Sequence, residues 1–316
     1  MYGATLKNIR KQKGLTQKEV YTGVVSKSFY SDVEADKYSV SVDKFQGLLK
    51  NLNISFEEFF YFHNQMDLSD TQELEKKIDD YYKQGKFEEL FSIYQEYYSS
   101  NSREIRYLAS KAYLLVLITN SNFYNFSRDP LNEIISNLES TKSWTLNEIK
   151  LAKLVLLSIP EKKMTESSNL YKKISEQLSK YKNFSDMVYQ KELADLYFNR
   201  IQSLLVLNNI SEAEKVFRDY SNLMNGNDDL NLFIQFYFIK TLLGLYLDYF
   251  VSKEEFDCFL RSIDNVPVSE CHFYKIIFQI HNEKAKNYFL RYQKSNPTSK
   301  LQKDQKARKN STKNGK

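Results

Sequence analysis

Only 8 glycines and 4 prolines punctuate a chain of 316 residues. Tight β-turns draw heavily on those two residues. An all-β fold with many hairpins is therefore disfavoured, and so is a glycine-rich phosphate loop. Between the few breakers, apolar residues recur at three- and four-residue intervals, the spacing of one face of an α-helix. The expectation is an all-α protein. Aromatic residues make up 15% of the chain; among packed helices they fill the interhelical space and leave amphipathic rims. The length gives room for two or three domains.

Three segments differ in character. Residues 1–65 break into five short helical pieces. Leu6, Ile9 and Arg10 open an amphipathic turn that ends at Gly14. Thr16 stands as an N-cap with Glu19 three positions later, a capping-box signature that predicts a helix over 17–22. Ser26 caps a third helix carrying Phe29, Tyr30 and Val33. Ser41 or Asp43 starts a fourth, with Phe45, Leu48, Leu49 and Leu52 on one face, and Ser55 a fifth, with Phe56, Phe59 and Phe60 inward. Five helices with such short connections form a compact bundle.

Residues 66–283 are helically periodic almost throughout. Lys86–Tyr97 aligns without gaps on Asn209–Tyr220, pairing Phe87 with Ile210, Leu90 with Ala213, Ile93 with Val216, Tyr94 with Phe217 and Tyr97 with Tyr220. Both segments resemble the second helix of a tetratricopeptide repeat, whose hairpins stack into a curved α-solenoid with a concave face. Residues 284–316 carry 11 basic side chains against one acid, Asp304. Tyr288 to Tyr292 can still continue a helix; from Lys294 onward little is left to bury, so a disordered basic tail is expected. Such a tail is a solvated terminus or a source of sequence-independent DNA affinity through counterion release. The acidic balance lies in the middle segment, so nucleic acid would be drawn to the two ends.

The helices predicted over 17–22 and 26–34 have helix-turn-helix spacing, with Gly23 in the turn and Val24 or Val25 plugging the space between them. In that geometry the second helix lies in the major groove of double-stranded DNA and offers its N-terminal residues to base edges. Here these are Ser26, Lys27, Ser28 and Tyr30, with Ser31 nearby. Gln17 and the backbone amide of Thr16 stand at a helix N-terminus, which favours a phosphate. Lys7, Arg10, Lys11 and Lys13 make an acid-free basic strip suited to the DNA backbone, and Lys37 follows the recognition helix. The pattern Leu6-x-x-Ile9-Arg10, Gly14-Leu15-Thr16-Gln17-x-x-Val20, Ser26, Tyr30, Glu34 and Leu48–Leu52 resembles the Cro-type, repressor-like helix-turn-helix family. Tyr21 and Thr22 depart from it, replacing the small residue usually packed there.

Such a domain ahead of a long helical segment resembles the Rgg/GadR/MutR transcriptional regulators. Asp129-Pro130-Leu131 and Trp144-x-x-x-Glu148-Ile149 resemble the helical region of that family. The resemblance implies a homodimer, regulation of nearby promoters, and a repeat domain whose concave face binds a short signalling peptide after import. The family commonly has an Asn beyond the Glu on the peptide-facing side, where this chain has Lys153 and Leu154. Asn199, Arg200, Asn231 and Gln235 interrupt otherwise apolar helices. Asn and Gln could pair with an extended peptide backbone and Arg with its terminal carboxylate; the alternative is that all four are core hydrogen-bonders or solvated. A repeat array serving as a scaffold for a folded protein partner is the other reading of this domain.

Other signals point away from an enzyme. His63, His272 and His281 are scattered, and no phosphate-loop or dinucleotide fingerprint is present. Cys258, Cys271 and His272 fit no standard metal spacing, so no cofactor is expected; the two thiols read as buried and inert, with a redox switch between them as the alternative. No charged segment followed by an apolar run opens the chain, so a signal peptide is not expected. The most apolar stretch, 232–251, contains Gln235, Lys240 and Asp248; each is costly in lipid, so it reads as a buried helix of a cytoplasmic protein, without membrane contact.

Overall fold

The structure, a computed structural model, describes residues 2–65, 67–119, 127–159, 164–264 and 271–295. Among the described residues there are sixteen α-helices and no strand. They fall into two compact units, Met1–Lys77 and Ile78–Lys316.

The first unit contains α1 (Gly3–Gln12), α2 (Gln17–Tyr21), α3 (Lys27–Glu34), α4 (Val42–Leu52) and α5 (Phe56–His63), and the start of α6 (Asp70–Lys83). Side-chain caps fix the short helices. Thr16 and Glu19 close a capping box on α2, Ser55 and Glu58 another on α5, and Ser26 caps α3 through the amide of Phe29. Leu6, Val20, Tyr30, Leu48, Leu52 and Phe59 are fully buried at the centre. Phe60 is not inward as expected; it is 38% exposed, because α5 is short and turns one narrow face to the core. The N-terminus of α1 is closed by Asp36, whose carboxylate accepts from the amides of Gly3 (2.7 Å) and Ala4 (3.2 Å). Gly3 is required for that approach: a Cβ there would lie 1.8 Å from the carbonyl oxygen of Val33.

The second unit continues with α7 (Phe87–Tyr97), α8 (Arg103–Thr119), α9 (Asp129–Ser140), α10 (Leu146–Ser158), α11 (Met164–Ser179), α12 (Asp186–Val206), α13 (Ile210–Met224), α14 (Leu230–Leu247), α15 (Tyr249–Asp264) and α16 (Cys271–Ser295). From α8 to α16 the even-numbered helices pack each against the next, while α7 packs against α8, and α11, α13 and α15 each against both even-numbered neighbours. This is the two-layer arrangement of stacked helical hairpins. The two aligned segments occupy equivalent places. Each follows a left-handed turn residue, Gly85 before α7 and Asn208 before α13, and buries the same register: Leu90 and Ile93 in one, Ala213 and Val216 in the other.

Trp144 shows how the layers are pinned. It is buried just ahead of α10, where Thr145 and Glu148 form a capping box. Its indole N–H donates to the Leu138 carbonyl and its amide to the Gln177 side chain, both at 3.0 Å. α14 is long and apolar enough to cross a membrane, yet it packs against α12, α13, α15 and α16 and buries Phe238, Leu242 and Tyr246 among them.

The helix expected over Tyr288–Tyr292 is the end of α16, which runs on to Ser295 and buries Ala285 and Phe289 at helical spacing inside the basic stretch. The tail proper, 296–316, lies outside the described residues. Cys258 is exposed on α15, not buried, because the buried residues of that helix, Phe256 and Phe259, occupy its other face; the side chain of Cys271 is outside the described residues.

Candidate nucleic-acid interface and ligand-binding region

Glu34 organises the helix-turn-helix pair. Its carboxylate is buried at the end of α3. Arg10 on α1 grips it at 2.5 and 3.0 Å, and the Gln17 side-chain amide donates to it at 2.8 Å. Burial alone would raise the Glu34 carboxyl; the hydrogen bonds from Arg10 and Gln17 outweigh it and hold the group below its usual range. Arg10 also donates to the Leu15 carbonyl at 2.8 Å. One acid thus ties α1, α2 and α3 into a fixed angle.

That arrangement reassigns several residues. Arg10 is turned inward and satisfied within the bundle, so it does not belong to an outward basic strip. Gln17 is held by the same carboxylate. The amide of Thr16 donates to Glu19 at 2.7 Å, so it is already occupied as a phosphate donor. Tyr30 is fully buried instead of facing a base. Helical geometry explains the last case: Tyr30 lies three and four residues before Val33 and Glu34, on the face α3 turns to the core. Its hydroxyl lies beside Glu34 and Arg10 without closing a hydrogen bond, and burial raises its pKa.

The remaining candidates do face outward. Lys27, Ser28 and Ser31 are exposed on one face of α3 at its N-terminal half, with Ser26 exposed at the cap. Lys7 and Lys11 are exposed on α1; Lys13, just beyond it, donates to the Asn53 carbonyl at 3.1 Å. Lys37 is exposed and paired with Asp32 at 3.2 Å. Sequence reasoning missed Lys44, which lies over the Phe29 ring at 5.1 Å; Phe29 in turn stacks on the exposed Tyr38. A loop separates these residues, so no periodicity joins them. The outward set offers cations and hydroxyl donors of the kind that bind phosphates and base edges.

In the second unit a polar chain crosses four helices. Lys153 on α10, 5% exposed, donates to Glu192 at 2.5 Å and to Asp195 at 3.1 Å, both on α12. Asp195 accepts from the Gln235 amide of α14 at 2.9 Å, and Gln235 accepts from the Tyr220 hydroxyl of α13 at 2.7 Å. Gln235 is therefore fixed inside the protein, while Asn231 is exposed at the start of α14 and Asn199 is half-buried on α12. Arg200 is buried; it donates to Ser167 at 2.9 Å and Ser168 at 3.0 Å, both on α11, and lies over the Tyr171 ring. The structure does not bring the four expected ligand residues together. The Lys153 cluster had been missed, although the four-residue step from Ile149 to Lys153 puts the lysine on a buried face.

Residues 6–59 match the helix-turn-helix family HTH_3. The first unit is a helix-turn-helix domain. Across nearly the whole chain the fold is shared with several solved structures. A candidate transcriptional regulator from Listeria monocytogenes EGD-e is 17% identical, with a TM-score of 0.71 over 90% of this chain and 98% of that one. The SHP pheromone receptor Rgg2 of Streptococcus dysgalactiae is 16% identical, with a TM-score of 0.64 over 90% of this chain and all of that one. The PrgX/cCF10 complex is 15% identical, with a TM-score of 0.63 over 91% and 92%. A helix-turn-helix domain followed by stacked helical hairpins is the fold they share with this chain.

Proposed function

We propose that this protein is a cytoplasmic, homodimeric DNA-binding transcriptional regulator of the Rgg type, controlled by a short peptide bound in its repeat unit. The observation that carries the DNA-binding part is the outward face of α3, where Lys27, Ser28 and Ser31 stand exposed on a helix locked by Glu34. The peptide part is supported by the shared fold with a pheromone receptor. Asn199 and Asn231 supply amide side chains for an extended backbone.

Selection of bound fragments from random and host DNA tests the first part. A palindromic operator is expected, since a two-fold dimer presents two recognition helices to two half-sites. Lys27→Ala should weaken binding and reduce the magnitude of the salt slope by about 1 if the lysine contacts phosphate. Failure to enrich any sequence sinks the DNA-binding reading. The peptide part is tested by titrating short host-encoded peptides into the operator complex. If none changes DNA affinity and a folded host protein does, the repeat unit is a scaffold.

A further inference from the structure

Two cations are buried in the repeat unit, and among the described residues only one closes an ion pair. Lys153 has two carboxylates within 3.1 Å. Arg200 is 6% exposed and meets only neutral partners, the hydroxyls of Ser167 and Ser168 and the face of Tyr171 at 5.0 Å. Glu212 and Tyr171 attract the guanidinium, but Glu212 closes no ion pair, and burial pulls the pKa of Arg200 down. Ser167 and Ser168 lie on α11. A desolvated guanidinium without an ion pair is unfavourable until an anion arrives. Ser168 and Tyr171 are half-buried, so the group lies just under the surface.

We propose that Arg200, Ser167 and Ser168 form an oxyanion-binding site between α11 and α12. The planar guanidinium presents paired donors to two oxygens of a carboxylate or phosphate group, and the two hydroxyls rotate to donate as well. A compact oxyanion supplies the ion pair that Arg200 does not make among the described residues. The site does not depend on the peptide reading, since inorganic ions alone would occupy it.

The test is calorimetric titration of the full-length protein with sodium phosphate and, separately, sodium acetate, with sodium chloride holding ionic strength constant. Saturable binding of one of them is expected. Arg200→Met should weaken it by about tenfold or more. Arg218→Met, which changes an exposed arginine on α13, should leave it unchanged. The double variant Ser167→Ala/Ser168→Ala keeps the guanidinium in place, and a loss of several-fold is expected from it even if Arg200→Met fails to fold. Response to acetate alone identifies a carboxylate, such as a peptide terminus or acidic side chain; response to phosphate alone identifies a phosphate group. Absence of saturable binding to both ions, or equal binding by the wild type and the serine variant, overturns the proposal.

Discussion

The helix-turn-helix domain and the repeat unit handle buried charge in opposite ways. In the first, one carboxylate, Glu34, collects donors from two other helices, and all the partners lie within 24 residues of it. In the second, Lys153 reaches carboxylates 39 and 42 residues away, and Gln235 extends the chain 40 residues beyond Asp195. A small domain with one core uses its ionic cluster as a hub that sets the angle between two functional helices. A stacked array uses it as a rung joining successive hairpins. The lesson is that a charged residue inside a helical protein has to be read with its partners: Arg10 and Lys153 both interrupt amphipathic helices, and neither is free to meet a ligand from solvent.

The comparison is broken most sharply at the rung. Lys153→Met leaves Glu192 buried with only the long 3.9 Å contact to Lys150, and a loss of about 3 kcal/mol of stability is expected. Adding Glu192→Met should recover most of it, since a buried pair replaced by apolar residues of similar size is often neutral. Denaturant unfolding of the single and double variants measures both numbers. A single variant as stable as the wild type would mean that the array needs no such link.

At the hub the expected effect is smaller. Arg10 is 11% exposed and lies at the edge of its core, so after Glu34→Ala it can turn to water; about 2–3 kcal/mol is expected, again from unfolding. The sharper outcome concerns DNA. Arg10→Ala should destabilise the domain and leave the salt slope of DNA binding unchanged, in contrast to Lys27→Ala. A slope reduced by about 1 in Arg10→Ala would return that residue to the phosphate-contacting strip.

A third difference is one of pH. His281 is buried on α16, hydrogen-bonded to the Tyr246 hydroxyl at 2.8 Å, and burial lowers its pKa from 6.5 to about 3. The unfolded chain therefore takes up a proton near pH 6.5 that the folded protein refuses until about pH 3. Stability should fall as pH drops through that window, by about 2 kcal/mol between pH 6.5 and pH 5. His281→Leu should flatten this part of the profile for the repeat unit.

How far the sequence could be read follows the same division. Caps located the starts of α2, α3 and α5 within a residue, because Thr16, Ser26 and Ser55 act on amides three positions away; α1, which has no side-chain cap, begins three residues before the expected Leu6. The register of α7 and α13 was legible for the same reason. Side-chain direction was legible only where the helical face was counted: Lys27, Ser28 and Ser31 face out, whereas Tyr30 was misplaced by being grouped with its neighbours in sequence. The side-chain partners of Arg10, Gln17, Arg200 and Gln235 lie 15 to 40 residues away, and no local pattern specifies such pairings. The end of α16 was legible in the aromatic residues Tyr288 and Tyr292, although Lys284 and Lys286 flank the buried Ala285.

Tyr30 gives the smallest expected effect and the cleanest distinction between motif and structure. In the motif it sits among the base-reading residues of α3. In the fold it fills the core against Glu34 and Arg10, and its hydroxyl is buried without a hydrogen-bond partner among the described residues. An unsatisfied buried hydroxyl is destabilising by about 1–3 kcal/mol relative to a satisfied one, and removing it together with its desolvation penalty can be neutral or favourable. Tyr30→Phe keeps the ring and deletes only that oxygen. Stability should stay level or rise by up to about 1 kcal/mol, and operator affinity should not change. If affinity falls while the unfolding midpoint holds, the hydroxyl reaches DNA when the domain binds, and α3 must turn on its axis in the complex. Unchanged affinity places the recognition surface on the Lys27, Ser28 and Ser31 face, with the Glu34 hub holding that face outward.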